Sequence, residues 1–301
     1  MRGVLPAVVL LVACARHTPA PVALATSASA VASSAASASS PSVGIPCGAL
    51  SCTQFDSPRA ALLAAIGRDA RVVALGEAHA PRGATAPSAA KRFTEELLPV
   101  FAGRASDLLV ELMTPPAGCS DAAAEVRQKQ APATSQQSPT NQNEYLAMGE
   151  RARALGIVPD MLRPSCADMD RVRDAGDGAI EASLEMIARL STAQAERLLD
   201  RDARSEADRG KEVVVYGGML HNDLDPPPER TKWSYAPALD AETGGKLVAV
   251  DLVVPEFIVD EPTWRALPWF SRYDRARLGA KTTLFRLADR SFVLVFPEMR
   301  P

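Results

Sequence analysis

Histidine is scarce in this chain, with three in 301 residues, and the common enzyme signatures are missing. There is no G-x-S-x-G nucleophile elbow, no H-E-x-x-H helix, no phosphate-cradling Walker loop and no G-x-G-x-x-G after a strand. No cysteine pair has CxxC spacing, so a zinc ribbon lacks its ligand pattern. The net charge is -3 and no basic cluster stands out, which excludes electrostatic capture of nucleic acid. The apolar run over 4–13 is too short to span a bilayer as a permanent helix. No internal repeat is visible.

What is present begins at the amino terminus. Met1 and Arg2 followed by the apolar run 4–13 have the shape of a secretory signal. The sequence Leu11-Val12-Ala13-Cys14 resembles the bacterial lipobox, which implies that Cys14 is acylated and opens the mature protein, its acyl chains forming a stable anchor. An ordinary signal peptide cleaved nearby is the alternative. Either predicts an extracytoplasmic protein of the cell envelope, on the periplasmic side or at the surface.

Residues 15–46 are mostly Ala, Ser, Pro, Thr and Val, with no charge after Arg16 and no Phe, Tyr or Trp. Too little apolar bulk is available there to offset the entropy of ordering, so a flexible tether is expected and His17 within it is inert. About 255 residues remain over 47–301, enough for one large domain with a sizeable core. Its cysteines, Cys47, Cys52, Cys119 and Cys166, are even in number, which in an oxidising compartment favours disulfides. Of the three possible pairings, Cys47 with Cys52 and Cys119 with Cys166 is favoured.

Strand-like and helix-like segments alternate along this domain. Ser57-Pro58 reads as an N-cap with proline in the first turn, Leu62, Leu63 and Ile66 give an apolar face, and Gly67 stops the helix. A strand at 71–75, a helix at 88–98 with Phe93 and Leu97 at helical spacing and Pro99 as its stop, and a strand at 108–112 make a βαβ unit. The polar stretch between Gln128 and Asn143 predicts an exposed excursion, a lid or an insertion. A helix over 144–155 stopped by Gly156 and a strand over 157–162 follow, then helices at 180–190 and 192–207 and a strand at 212–216. Residues 246–254 read as an apolar strand interrupted by Asp251, and 282–287 with 291–296 as an antiparallel hairpin. The expected fold is α/β: a mixed, mainly parallel central sheet, helices on both faces, and a C-terminal antiparallel hairpin.

Two of the histidines occupy matching places. His79 ends RVVALGEAH and His221 ends EVVVYGGMLH, each a β-branched run passing through glycine to an imidazole. That is where an open α/β sheet builds its site. Side chains at i and i+2 of an extended segment share a side, so Glu77 and His79 converge, and His221 and Asp223 are expected to do the same. Gly76 and the Gly217-Gly218 pair leave room for a ligand, and Glu111 near the end of DLLVEL reaches the same edge if its strand is a neighbour. Imidazoles and carboxylates so gathered suit a divalent metal that acidifies its bound water, metal-free general acid and base catalysis, or ligation of haem iron. The aromatic group Trp264, Trp269, Phe270 and Tyr273 is expected to pack the core.

In order, LGEAH at 75–79, the strand-ending Glu111 in LLVEL, and GGMLH at 217–221 resemble the signature of the ChaN, Tiki and TraB superfamily, which includes the erythromycin esterases. The resemblance covers 75–221 and implies an α/β domain whose site uses Glu77, His79, Glu111 and His221. It implies different functions by branch: haem binding in ChaN-like lipoproteins, metal-dependent proteolysis in Tiki-like members, and ester hydrolysis by histidine-activated water in the esterases. The lipobox and the G-E-x-H spacing favour the ChaN-like branch, while Ala78 stands where the esterases carry a hydroxyl residue before the histidine.

Two readings are therefore carried forward. In one, a lipid-anchored protein binds haem or a related iron complex through His79 or His221, with Met148, Met186 and Met219 against the ring. In the other, a metal-dependent hydrolase acts on a peptide or small-molecule ester, with Glu77, His79, Glu111 and His221 holding or serving the metal.

Overall fold

The computed structural model describes residues 44–115 and 117–299, which belong to a single compact unit. The expected signal, Cys14, His17 and the expected tether up to residue 43 lie outside the described residues. The strands are β1 (Ile45–Pro46), β2 (Cys52–Phe55), β3 (Val72–Glu77), β4 (Ala105–Met113), β5 (Val158–Leu162), β6 (Glu212–Gly218), β7 (Leu247–Val253), β8 (Thr282–Ala288) and β9 (Ser291–Val295). They form one mixed sheet in the order β1-β2-β8-β9-β7-β3-β6-β4-β5. From β7 to β5 neighbours are parallel; β9 pairs parallel with β7 and antiparallel with β8, which pairs antiparallel with β2.

The main helices are α1 (Pro58–Ile66), α2 (Ala89–Arg92), α3 (Ser120–Thr134), α4 (Asn141–Ala154), α5 (Cys166–Asp174), α6 (Ala179–Arg204) and α7 (Ala236–Glu242). They cover both faces, and the central strands are accordingly apolar along their whole length rather than alternating. Val73, Leu75, Val214 and Tyr216 pack under α1, α2 and α4. Their strand neighbours Val72, Ala74, Val213 and Val215 pack under α3, α5, α6 and α7 on the other face. This alternation decides which face each site residue occupies.

Most expected elements are present, often longer by a few residues. Ser57 accepts the backbone N–H of Ala60 at 3.3 Å and Gly67 closes α1 with φ of 63°. The helix expected over 88–98 begins as α2, then widens to a π turn at Phe93–Leu97 and tightens to a 3-10 turn at Leu98–Phe101 as it meets Pro99. The two helices expected at 180–190 and 192–207 are one, α6. Its supposed break at Ser191-Thr192 is bridged because the Thr192 hydroxyl donates to the Ala188 carbonyl at 3.0 Å while Ser191 is buried.

The polar stretch between Gln128 and Asn143 is largely exposed, as expected, but it is more ordered than a bare excursion. Gln128–Thr134 completes α3, and the following residues run back along the segment after β3: Arg82 N–H donates to Gln136 O at 2.7 Å and Ser138 N–H to Ala80 O at 2.8 Å. Ile45–Pro46, expected to close the tether, pairs instead with β2 at the sheet edge.

Both favoured disulfides are formed, Cys47–Cys52 and Cys119–Cys166, with Cα atoms 5.1 and 5.5 Å apart. They indicate an oxidising, extracytoplasmic environment. No helix among the described residues is long and apolar enough to cross a membrane. The aromatic group packs as expected, with Trp269 buried against Trp264, Phe270, Tyr273 and Phe285.

Candidate functional site

The carboxyl ends of β3, β6 and β4 meet at one edge. Glu77 ends β3 directly opposite Gly218, the last residue of β6, and β4 lies on the far side of β6. The crevice outside such parallel strand ends is the usual ligand position in an open α/β sheet. In β4 the register against β5 shifts between Val110 and Met113, which re-aims the chain at Glu111.

Glu77 is buried and fully engaged. Its Oε1 accepts the Tyr145 hydroxyl and the His79 Nδ1–H, each at 2.8 Å, and its Oε2 accepts the Tyr216 hydroxyl at 2.7 Å. Tyr216 comes from β6 and Tyr145 from α4, both on the face that Glu77 shares with Val73 and Leu75. A buried carboxylate needs donors of this kind, and here they also fix its orientation.

His79 is thereby oriented in turn. With Nδ1 directed at a carboxylate, the proton sits on Nδ1 and Nε2 is left as the free nitrogen. Its side chain retains 25% exposure, the most open of the four. Burial disfavours the imidazolium, but the hydrogen bond and charge of Glu77, with the charge of Glu111, outweigh it and hold His79 above its usual 6.5. Burial is the main cause that pushes both Tyr145 and Tyr216 well above 10.0, with the charge on Glu77 adding to it, so each stays a hydroxyl donor.

The second pair sits across the glycine turn. His221 directs Nδ1 at the Trp233 carbonyl at 2.7 Å, and since a carbonyl only accepts, that nitrogen bears the proton. His221 Nε2 then faces Glu111 Oε1 at 3.7 Å, while Glu111 Oε2 accepts the Gly218 N–H at 2.7 Å. Gly218 lies at the middle: a β-carbon there would stand 3.6 Å from His79 Nε2 and 3.7 Å from both Glu111 Oε2 and His221 Cδ2. The structure thus brings Glu77, His79, Glu111 and His221 to one place.

Other expected contributors are elsewhere. Asp223 is exposed and its Oδ1 accepts the Asp225 N–H at 3.0 Å, because the chain has left the extended conformation after Gly218. Met148 and Met186 are core residues on opposite faces of the sheet. Only Met219 lies at the site, where its N–H donates to the Glu77 carbonyl at 3.0 Å. Tyr145, Tyr216 and the Trp233 carbonyl were missed. Tyr216 was within reach of a sequence reading, lying two residues before Gly218 in the same strand.

Among the described residues no three His, Cys, Asp or Glu side chains are arranged to hold a metal ion. Glu77 spends both oxygens on three donors and Glu111 spends Oε2 on the Gly218 N–H, which leaves Glu111 Oε1 as the one uncommitted carboxylate oxygen of the set. A cleft of about 540 Å³ lined by Arg68, Arg104, Arg209, Lys211 and Glu212 lies at the opposite, amino-terminal edge of these strands, away from both histidines.

No protein-family model matches the chain, and no curated protein matches it. A solved structure, that of the type III effector HopBA1, aligns over 86% of this chain and 97% of its own, with 14% identity and a TM-score of 0.38.

Proposed function

We propose that this protein is a lipid-anchored hydrolase of the cell envelope that cleaves a carboxylic ester or amide by general acid and base catalysis. The observation that carries this reading is the Glu77–His79 pair, which holds the proton on Nδ1 and presents a free, unprotonated Nε2 beside Glu111 and His221 around Gly218. A water placed over Gly218 gives one proton to His79 Nε2 while its oxygen adds to the acyl carbon. Glu77 stabilises the imidazolium so formed. His79 then passes that proton to the departing alcohol or amine, beside His221 and Glu111, which restores the site.

The donor set as placed does not fit a metal ion, because Glu111 Oε1 is its one uncommitted carboxylate oxygen and no three of the described acidic, His or Cys side chains are arranged to hold one, and no step is routed through a metal. Haem, the other group implied by the family resemblance, would find His79 Nε2 as its ligand but lacks the Met148 and Met186 contacts. The test is turnover of chromogenic acyl esters and amides by the full-length protein in detergent. His79→Ala and His221→Ala should each lower the rate about a hundred- to ten-thousand-fold. Absence of turnover together with a Soret shift on adding haemin that His79→Ala abolishes, or with a metal bound at one per chain, would replace this reading.

A further inference from the structure

One row of side chains beneath the site is left unused by that chemistry. On the face covered by α6 and α7, Asp251 of β7 stands in register with Gly76 of β3, which stands in register with Gly217 of β6. Both glycines are filled from above. A β-carbon on Gly76 would stand 2.5 Å from Asn222 Oδ1, and one on Gly217 would stand 2.3 Å from Glu111 Oε2. Asn222, next to His221, is therefore laid over the sheet, with 1% of its surface exposed.

The hydrogen bonds of Asn222 are incomplete. Its Nδ2 donates to Asp251 Oδ1 at 3.1 Å and approaches the Ala74 carbonyl at 3.5 Å, whereas its Oδ1 is buried without a partner. Turning the amide over would set its oxygen against the Ala74 carbonyl, so Nδ2 must stay where it is. The missing partner for Oδ1 is a donor, and an ionised Asp251 has none to offer. A protonated one does, and the acid and amide then satisfy each other in a closed pair.

We infer that Asp251 is a positioning residue of this site: its carboxyl carries a proton in the folded protein and donates it to Asn222 Oδ1, clamping the turn that bears His221. The surroundings agree. Burial, with the charge of Asp223 added, raises the Asp251 carboxyl to about 7 against the lowering effect of Asn222. The strand neighbours Gly76 and Val293 carry no charge, and of the acids on α7, Asp240 is already paired with Arg290. Tyr235, whose hydroxyl is buried and also without a partner, is the rival donor. The turn itself is closed by the Tyr235 N–H on the His221 carbonyl at 2.9 Å and by the Ser234 hydroxyl, which is shared between the Asp223 and His221 carbonyls on either side of Asn222 at 2.7 and 3.0 Å, so a shift of Asn222 acts directly on the histidine.

The catalytic consequence rests on the hydrolase reading, but the protonation does not, and the experiment separates them. Infrared difference spectra of the full-length protein against Asp251→Asn should show a buried carboxylic-acid carbonyl near neutral pH, lost as pH rises. Asp251→Asn keeps the closed pair through its own amide, so its Tm advantage over the parent should grow by roughly 5 °C or more between about pH 5 and pH 8. With only three histidines in the chain, the His221 ring signals are assignable by NMR; they should move in Asp251→Ala and stay in Asp251→Asn. If hydrolysis is found, Asp251→Ala should lower kcat roughly tenfold with KM unchanged, and Asp251→Asn should restore it. A missing carbonyl band, a Tm difference that ignores pH, or His221 signals that respond to Tyr235→Phe and not to Asp251→Ala would each overturn the inference, whether or not a substrate is known.

Discussion

The hydroxyl of Tyr216 meets Glu77 Oε2 at 2.7 Å across adjacent strands, at a point with no access to water. This contact does more than satisfy a buried carboxylate. With Tyr145 on the other oxygen, it stops Glu77 from rotating, so the side of the carboxylate that faces His79 is fixed before any ligand arrives.

Replacing Tyr216 by Phe therefore removes a donor while leaving the ring packed against Phe93 and Tyr145. The expected cost is about 1–3 kcal/mol, read from urea unfolding, because a buried acceptor loses a partner. Tyr145→Phe should cost a similar amount. The double variant should depart from additivity by about 0.5 kcal/mol or more, since both hydroxyls serve one carboxylate.

The Glu77–His79 contact predicts opposite pH dependences for stability and for activity. His79 is held above 6.5 in the folded protein, so its contribution to stability is fully present below 6.5 and is lost as pH rises through the folded value. The hydrolytic base must be unprotonated, so kcat/KM should instead rise with pH through a midpoint above 6.5. Glu77→Gln removes the main opponent of burial, and the His79 midpoint in NMR titration should fall below 6.5. An unchanged midpoint would mean that Glu77 does not set the charge state of this imidazole.

The strands were legible because β-branched apolar runs have few alternatives: RVVAL and EVVVY contain no helix-breaking ambiguity and end at glycine. The pairing of Glu77 with His79 was legible for the same local reason, being two residues apart at a strand end. Tyr145 was not, because its contact depends on α4 packing onto one particular face of β3 and β6. Asp223 misled because the i, i+2 rule holds only while the chain stays extended, and it turns after Gly218. α3 was hidden by its composition: its buried side chains include Ala122, Ala123 and Val126, a small apolar face whose burial depends on α5 and α6.

Neighbouring glycines at the end of β6 should respond differently to alanine. At Gly218 the added methyl would make ordinary contacts of 3.6–3.7 Å, yet it would occupy the space between His79 Nε2, Glu111 and His221. Gly218→Ala should keep its Tm within about 2 °C and lose most of its hydrolytic rate. At Gly217 the methyl would lie 2.3 Å from Glu111 Oε2 and 2.9 Å from its Cβ. That overlap forces Glu111 to move, and Gly217→Ala should lose about 1–3 kcal/mol in denaturant unfolding. Equal stability loss at both positions would argue against an open space over Gly218.

The disulfides should be unequal in their effect on stability. Cys119–Cys166 joins the start of α3 to the start of α5 across a sequence separation of 47, while Cys47–Cys52 closes a separation of 5 at the sheet edge. On the chain-entropy account, the longer loop restricts the unfolded ensemble more, about 4 kcal/mol against about 2 kcal/mol. Paired Cys→Ser variants measured by denaturant unfolding should fall in that order. The Cys119/Cys166 variant should also loosen the α3–α4 connection that runs along residues 80–82, seen as faster amide exchange at Arg82 and Ser138, whose N–H groups hold that connection. Because those residues follow His79 directly, its hydrolytic rate should fall as well, whereas the Cys47/Cys52 variant should leave both exchange and rate unchanged.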